Sequence, residues 1–325
     1  MQYQTTLRNM SSRLFAASAA AVLATSWTVE TVAQPANPIT TIARERLFLD
    51  QPWRGEQGGW VLTLSPGSEI TLPTSYGDAD LTLSRASVDL ASEYWFSRQL
   101  IATFGIGGEY SHYALSNLRD AAGIREPISD ALRISLRPGV RFNFSEQWGA
   151  FAFGQFEFSG DPGANLDKSF TGGGAGGVRW APREDFTLLL GAGAISRLDD
   201  TTGYYPILGI NWRIDERWSV DTLGTGGAVR YKLTDRWRFG FGGRYETRDF
   251  RLDSDASVPD GVLRDDRALV ELTATWRPQP AIDLTAGVGA VVWSELTIDT
   301  SGSDEVFEET GDPTAFFSLR GVIRF

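Results

Sequence analysis

The single histidine, His112, is the first place to look for chemistry, because a serine directly precedes it. A serine hydroxyl becomes a nucleophile when a histidine accepts its proton and a third group orients the ring. Ser111 and His112 lie in a segment whose alternating pattern indicates a β-strand, and adjacent strand residues point to opposite faces. The two side chains are therefore not expected to act together.

Other residue types that carry chemistry form no ordered site in the sequence. Cysteine is absent, which removes disulfides, thiolate metal sites and thiol nucleophiles. The acidic pairs Asp199-Asp200 and Asp265-Asp266 are typical of solvated loop charges. The longer carboxylate-rich stretches lack the regular oxygen-ligand spacing of a calcium loop, although calcium binding by them stays open. We therefore expect no enzyme activity, no catalytic residue, no cofactor and no metal site.

The elements that position these side chains alternate apolar and charged residues with a period of two. In Leu132–Phe144 one face is aliphatic and aromatic, whereas the other carries charges such as Arg133 and Arg141. Trp237–Arg248 and Ala315–Phe325 repeat the pattern. A strand in a membrane needs one apolar face, because an arginine facing lipid at the midplane costs about 2–4 kcal/mol. Charge confined to one face therefore predicts membrane-spanning strands.

The connections between these strands alternate between short and long. The long, acidic ones are Asn117–Asp130, Gly160–Lys168, Asp253–Asp266 and Asp299–Asp312. Outer-membrane barrels have short periplasmic turns and long external loops. The predicted fold is all-β, a transmembrane antiparallel up-and-down β-barrel of about 14 strands, with 12 strands as the alternative, short periplasmic turns and long external loops.

Aromatic residues cluster at both ends of the predicted strands. Those beside the short turns are Trp95, Phe96, Phe144, Trp148, Trp180, Trp212, Trp218, Trp237, Trp276 and Phe325. Those near the long loops are Tyr110, Tyr113, Tyr204, Tyr205, Phe250, Trp293 and Phe316. Aromatic side chains favour membrane–water interfaces, so the two sets predict two girdles.

The N-terminus has the features of a targeting sequence. A positively charged start and the apolar run Leu14–Thr25 precede a small-residue cleavage site at Ala33. The run is too short to span a bilayer, which takes roughly 20 residues. We expect a signal peptide at 1–33, an N-terminal periplasmic segment at 34–58 and a barrel at 59–325, located in the bacterial cell outer membrane.

The sequence carries two family resemblances. The final residues Gly321–Phe325 (GVIRF), with the signal peptide and the alternating strands, resemble Gram-negative outer-membrane proteins. In that group the last aromatic residue belongs to an assembly signal, so the resemblance implies this role for Phe325 and the barrel-assembly machinery as a partner. Pro206–Trp218 and Val229–Tyr245 resemble an uncharacterised, porin-like outer-membrane barrel family, which contributes no catalytic residues.

The inward face of the predicted barrel collects charges of both signs. The residues predicted to line the lumen are Arg133, Arg137, Arg141, Glu157, Arg230, Arg238, Arg244, Glu246, Glu271, Asp283, Arg320 and Arg324. The same alternation predicts that Glu109, Arg248 and Glu295 also point inward. Rings of arginine and lysine favour anions, so the leading hypothesis is a passive or selective channel for small polar or anionic solutes.

Two alternatives to a channel stay open. If the inward charges pair with one another, the barrel is closed and structural or adhesive, and its acidic external loops bind a partner or lipopolysaccharide. A lipid-acting outer-membrane hydrolase is the other alternative. The formal net charge of −11 makes a nucleic-acid partner unexpected, because phosphate contacts need a basic face. The expected partners are outer-membrane lipid, lipopolysaccharide and small polar solutes.

Overall fold

The computed structural model describes residues 59–116, 128–199 and 201–325, whose regular elements are all strands. The predicted signal peptide, the N-terminal segment and most of the predicted loop 117–130 lie outside the described residues. The strands are β1 (Trp60–Thr71), β2 (Thr74–Tyr76), β3 (Ala79–Trp95), β4 (Leu100–Ser116), β5 (Asp130–Asn143), β6 (Trp148–Gly160), β7 (Phe170–Arg183), β8 (Phe186–Ser196), β9 (Thr202–Arg213), β10 (Trp218–Leu223), β11 (Gly226–Lys232), β12 (Trp237–Arg251), β13 (Val262–Gln279), β14 (Ile282–Asp299), β15 (Glu305–Gly311) and β16 (Thr314–Arg324). Within the described ranges, no helix is long and apolar enough to cross a bilayer.

The strands of the described residues close into one antiparallel up-and-down barrel. β1 and β2 both pair with β3, and β15 and β16 both pair with β14, so each couple forms one barrel strand. Pro73 and Pro313 lie at the two interruptions, where a proline cannot donate to the ladder. β1 pairs with β16 from Thr63↔Arg324 to Thr71↔Phe316 and closes the sheet. The predicted 14 strands are confirmed, and the alternative of 12 is wrong.

The two ends of the barrel differ in their connections. At the short-turn end, strands are joined at 144–147, 184–185, 214–217, 233–236 and 280–281. At the loop end, longer connections such as 161–169 and 252–261 join them. β10 and β11 form a short hairpin that turns at Gly224, whose positive φ of 56° suits glycine, and this hairpin does not reach the loop end.

Two predicted loops are partly strand. β15 occupies half of the predicted loop 299–312, and β13 begins at Val262, so Asp265 and Asp266 are strand residues. The sequence pattern is misleading here because strands that extend beyond an apolar belt meet water or other protein segments, where carboxylates are tolerated.

The girdle at the short-turn end is present on the outer surface. Nine of its ten predicted members are 36% to 72% exposed, and Trp148 lies 6.0 Å from Trp180 between ring centroids. Trp95 is the exception, because its odd position in β3 turns it inward, where it is 4% exposed. It does not belong to the girdle.

The predicted girdle at the loop end is largely wrong. Tyr110 and Tyr204 do face outward, and Trp293 is half-buried. The other four predicted members point inward and are buried: Tyr113, Tyr205, Phe250 and Phe316. The strand register decides which face of the sheet each aromatic side chain occupies. Counting aromatic residues near the loops gives no information about register.

A bulge in β14 reverses the alternation above it. The register moves from Leu269↔Val291 to Ala268↔Trp293, so Val292 is an extra residue. Beyond the bulge, Leu296 and Ile298 are fully buried in the barrel interior. Glu295 therefore lies on the outward face, and its predicted place in the lumen is wrong.

Candidate functional site: the barrel interior

The interior at the loop end is filled by apolar side chains. We call this group the apolar plug; it comprises Tyr76, Ala79, Leu81, Leu83, Tyr113, Ile128, Ala131, Phe250, Leu252, Val258, Leu263, Leu296, Ile298 and Phe307. Phe250, Leu252, Leu263, Leu296 and Ile298 have no exposed surface. These side chains pack together and occupy the loop end of the interior.

One segment of β12 contacts a distant strand at the loop end. β11 pairs with β12 only as far as Gly226↔Arg244, whereas β12 stays paired with β13 up to Arg251↔Val262. The strand then reaches the loop-end tip of β6, where the Asp161 N–H donates to the Arg251 carbonyl at 2.8 Å. We call residues 246–252 the crossing segment. Because β10 and β11 are short, the loop-end tips of β12 and β6 come into direct contact.

Beneath the plug lies a layer of buried ion pairs. Arg85 of β3 donates to Asp265 of β13 at 2.5 Å and to Glu246 of β12 at 3.0 Å. We call Arg85, Glu109, Glu246, Arg248, Asp265 and Arg267 the buried ion layer. Its side chains are 17% exposed or less. Buried charges need such partners, because an unpaired buried charge destabilises the folded state by roughly several kcal/mol.

The ion layer joins strands that are far apart around the barrel. Arg248 binds Glu109 of β4 through two hydrogen bonds, of 2.8 and 3.1 Å. Arg267 of β13 contacts Asp265 at 2.5 Å. Because these bonds run from the crossing segment to β4, the layer fixes the crossing segment from below.

The predicted lumen residues on β12, β13 and β16 meet in one network. Arg244 contacts Glu69 at 2.5 Å, Glu246 at 3.2 Å and Glu271 at 3.5 Å. Arg320 contacts Glu271 at 2.5 Å. Four predicted residues are therefore brought together, and Glu69 is a member that the sequence did not single out.

The predicted arginines of β5 pair with carboxylates of β3 and β6. Arg137 binds Asp89, and Arg141 contacts Glu93 at 2.9 Å, in both cases across β4. Gly107 of β4 makes room for the first pair, since a Cβ there would lie 2.4 Å from Asp89 Oδ1. On the other side of β5, Arg133 contacts Glu157 at 2.9 Å.

The remaining predicted residues surround the mouth at the short-turn end. Asp283 accepts from Arg277 at 2.7 Å, Arg324 at 3.0 Å and Arg238 at 3.1 Å. These three arginine side chains are each about one third exposed. Arg230 pairs with Asp221 of β10. Charge pairs at this mouth therefore meet water, unlike those of the ion layer.

A cavity of about 270 Å³ remains between the ion layer and the mouth. Its charged lining consists of six arginines and five carboxylates: Arg85, Arg133, Arg137, Arg244, Arg248, Arg320, Glu69, Asp89, Glu109, Glu157 and Glu246. The interior is thus polar along part of its length, and its lining charges are nearly balanced.

Several functional side chains were missed from the sequence. Arg85, Asp89 and Glu93 share one face of β3 at a spacing of four, which is an even spacing on a strand, and could have been found from that pattern. Asp265 was missed because the acidic stretch before it resembled a loop. Asp221 lies in the short strand β10, where the pattern is too brief to indicate a face.

His112 and Ser111 lie on opposite faces of β4, as the alternation predicts. Ser111 is fully buried in the interior. His112 is on the outer surface, where its Nδ1 lies 3.0 Å from Asp130 Oδ1. The terminal Phe325 is exposed at the girdle, and its N–H donates to the Leu62 carbonyl at 2.9 Å. An assembly role for Phe325 stays a prediction.

Comparisons with known proteins identify no family for this chain. No family model and no curated protein match it. Among solved structures, it is similar to an outer-membrane channel from Pseudomonas putida F1, at 12% identity over 84% of this chain and 98% of that one, with a TM-score of 0.48. It is also similar to a Pseudomonas aeruginosa FadL homologue, at 11% identity over 81% and 90%, with a TM-score of 0.47. The P. putida toluene transporter TodX matches at 9% identity over 83% and 90%, with a TM-score of 0.44.

The class of this protein follows from its own strand pairing and surface. A closed antiparallel barrel of 14 strands, with an exposed aromatic girdle at one end and charges inside, is a β-barrel of the outer-membrane type.

Proposed function

We propose that this protein is an outer-membrane channel for small polar solutes that is closed at its loop end by the apolar plug. The observation that carries the proposal is the charged cavity of about 270 Å³ beneath the apolar plug. Side chains fill a barrel of about 8 strands, whereas about 16–18 strands leave an aqueous channel. A 14-stranded wall lies close to the second case, so its interior opens if the side chains of the apolar plug rearrange.

The lining charges suggest which solutes pass. Six arginines against five carboxylates leave a small positive excess around the cavity. Apolar solutes are disfavoured there because they would replace water around charged groups. We infer small polar solutes with a modest preference for anions.

The surface supports placement in the outer membrane. Short turns lie beside the aromatic girdle, and this arrangement is typical of the periplasmic end of an outer-membrane barrel. The loop end then faces outward, where its carboxylates meet lipopolysaccharide. Phe325 lies in the girdle at the periplasmic end, a suitable place for contact with the assembly machinery.

Planar-bilayer recordings of the refolded protein test the channel. We expect the wild type to open rarely and the Phe250→Ala/Leu252→Ala variant to open frequently, because the variant removes two side chains with no exposed surface from the plug. Phe241→Ala is the matched control, since Phe241 lies on the same strand but is 54% exposed on the outer face. A salt gradient across the bilayer gives the anion preference. Absence of discrete conductance steps from the plug variant contradicts the proposal.

A closed structural or adhesive barrel is the second candidate. The observation that favours it is the filled loop end, where the plug and the buried ion layer occupy the interior together. The same recordings separate the candidates, because a structural barrel gives no conductance even when the plug is weakened.

A further inference from the structure

The strand register aligns a serine, a histidine and an aspartate on the outer surface. Ser84 of β3 is paired with His112 of β4, and His112 is paired with Asp130 of β5. All three belong to the outward face, because the residues that follow Ser84 and Asp130, namely Arg85 and Ala131, are buried inside. The three side chains therefore follow one line across adjacent strands, near the loop end.

The aspartate holds the histidine in one orientation. His112 Nδ1 lies 3.0 Å from Asp130 Oδ1. The carboxylate is itself fixed, because it also accepts hydrogen bonds from Tyr110 Oη and, at 2.9 Å, from Ser129 Oγ. A carboxylate that accepts from Nδ1–H leaves Nε2 as the proton acceptor of the ring. Asp130 thus places His112 in the tautomer that a general base needs.

Ser84 stands on the side of His112 opposite to Asp130. Directly paired residues of antiparallel strands have Cβ atoms about 4.5–5.5 Å apart, and the two ring nitrogens of histidine point in divergent directions. In the described part of the chain no hydrogen bond joins Ser84 to His112. A nucleophile and its base commonly complete that bond only when substrate is bound.

The surroundings suit a lipid ester. Ile70, the β1 partner of Ser84, is 53% exposed, and Leu132, the next outward residue after Asp130, is 42% exposed. On the two strands between them, Ala86 and Ala114 are exposed and small. Tyr110 supplies an aromatic ring of the type that lies at headgroup depth. An acyl chain can lie along the apolar residues while its ester carbonyl reaches Ser84.

We propose that Ser84, His112 and Asp130 form a hydrolytic site for acyl esters of membrane lipids. Ser84 Oγ attacks the ester carbonyl carbon while His112 Nε2 takes the hydroxyl proton. The ester C–O bond breaks, and the proton passes from His112 to the leaving alcohol. Water then attacks the acyl-serine with His112 again as the base, releasing the fatty acid and restoring Ser84. Asp130 is a positioning residue.

The test measures hydrolysis of p-nitrophenyl palmitate by the full-length refolded protein in mixed detergent micelles. We expect Ser84→Ala and His112→Ala to lower kcat/KM by at least about 100-fold. Asp130→Asn should lower kcat while leaving KM unchanged, which loss of lipid binding would not do. A fluorophosphonate should label Ser84, and mass spectrometry identifies the modified residue even if a variant folds poorly.

Two serines serve as matched controls. Ser92 lies on the same outward face of β3, and Ser111 adjoins His112 in sequence but points inward. Ser92→Ala and Ser111→Ala should keep the wild-type rate. Hydrolysis that survives Ser84→Ala, labelling of another serine, or a wild-type rate equal to that of Ser84→Ala overturns the proposal.

The result is independent of channel activity. The proposal shares with the proposed function only the placement of this barrel face against lipid, whereas the assay in micelles needs neither an open lumen nor a bilayer. A protein that hydrolyses the ester but never conducts refutes the channel alone, and a conducting protein without hydrolysis refutes this site alone.

Discussion

The two ends of the barrel use the same residue types in opposite ways. At the short-turn end, aromatic side chains face outward and the charge pairs around Asp283 face water. At the loop end, Tyr113, Phe250 and Phe316 face inward, and the charge pairs around Arg85 are buried. An aromatic residue is thus an interface anchor at one end and interior packing at the other.

The difference between the two ends arises at one place in the barrel wall, where the β10–β11 hairpin is short. The short β10–β11 hairpin ends early, so the crossing segment of β12, still paired with β13, meets the tip of β6 across the interior. Its apolar residues must be covered there, and its charges must be paired, because neither can remain alone in a dry interior. At the short-turn end, the ion pairs around Asp283 stay partly exposed.

Removal of Arg85 should produce the largest loss. Arg85→Ala removes the guanidinium that joins Asp265 to Glu246 in the ion layer. The two carboxylates keep Arg267 and Arg248 but lose a buried cation, and breaking a buried pair costs about 3–5 kcal/mol. Urea unfolding in detergent micelles, followed by tryptophan fluorescence, measures the change in the free energy of unfolding. An effect below about 1 kcal/mol, typical of an exposed ion pair, would show that this layer is wet.

The apolar plug should respond next. Leu296→Ala opens a cavity in a fully buried part of β14 and should lower the free energy of unfolding by about 2–5 kcal/mol. Leu284→Ala on the same strand is the matched control, since Leu284 faces outward with 44% exposure and its removal leaves no enclosed cavity. Equal losses from the two variants would contradict a closed loop end.

The mouth at the short-turn end should tolerate the loss of an arginine. Arg324→Ala still leaves Asp283 in contact with Arg277 and Arg238, and a partly exposed pair contributes about 0–1 kcal/mol. The same urea titration measures the change in the free energy of unfolding. A loss as large as that of Arg85→Ala would remove the contrast between the two ends.

The smallest expected change in stability concerns the turn 214–217, and it depends on pH. The backbone N–H groups of Trp218 and Arg217 donate to Asp215 and hold the pKa of its carboxyl below the usual range. A lowered pKa stabilises the folded state above the unfolded pKa of about 3.9, and this contribution is lost as the pH falls through the lower folded value. The melting temperature of Asp215→Asn should fall below that of wild type at neutral pH, and the difference should vanish in acid. A constant difference across that range would refute this account.

The predictable parts of the fold are those that follow from the two-residue alternation of apolar and charged side chains. That period predicted the 14 strands and the charged inward face, because lipid excludes charge from the outer face of every strand. It could not predict the direction of Glu295, since the single extra residue Val292 reverses every later position. The outer alignment of Ser84 with His112 escaped the sequence for a similar reason, because the two residues are far apart in the chain and only register pairs them.

The sequence by itself determined that the chain builds a barrel of about 14 strands, with 12 left open, and that its charges turn away from lipid. These are local consequences of alternation and turn length. Only the tertiary structure decided whether the lumen is filled and which charges meet across it. The reason is physical: Arg85 and Asp265 belong to strands far apart in sequence, and nothing local to either specifies their contact across the interior. The plug likewise depends on where β11 ends relative to β12. This relation involves two strands, so the sequence of either strand alone does not specify it.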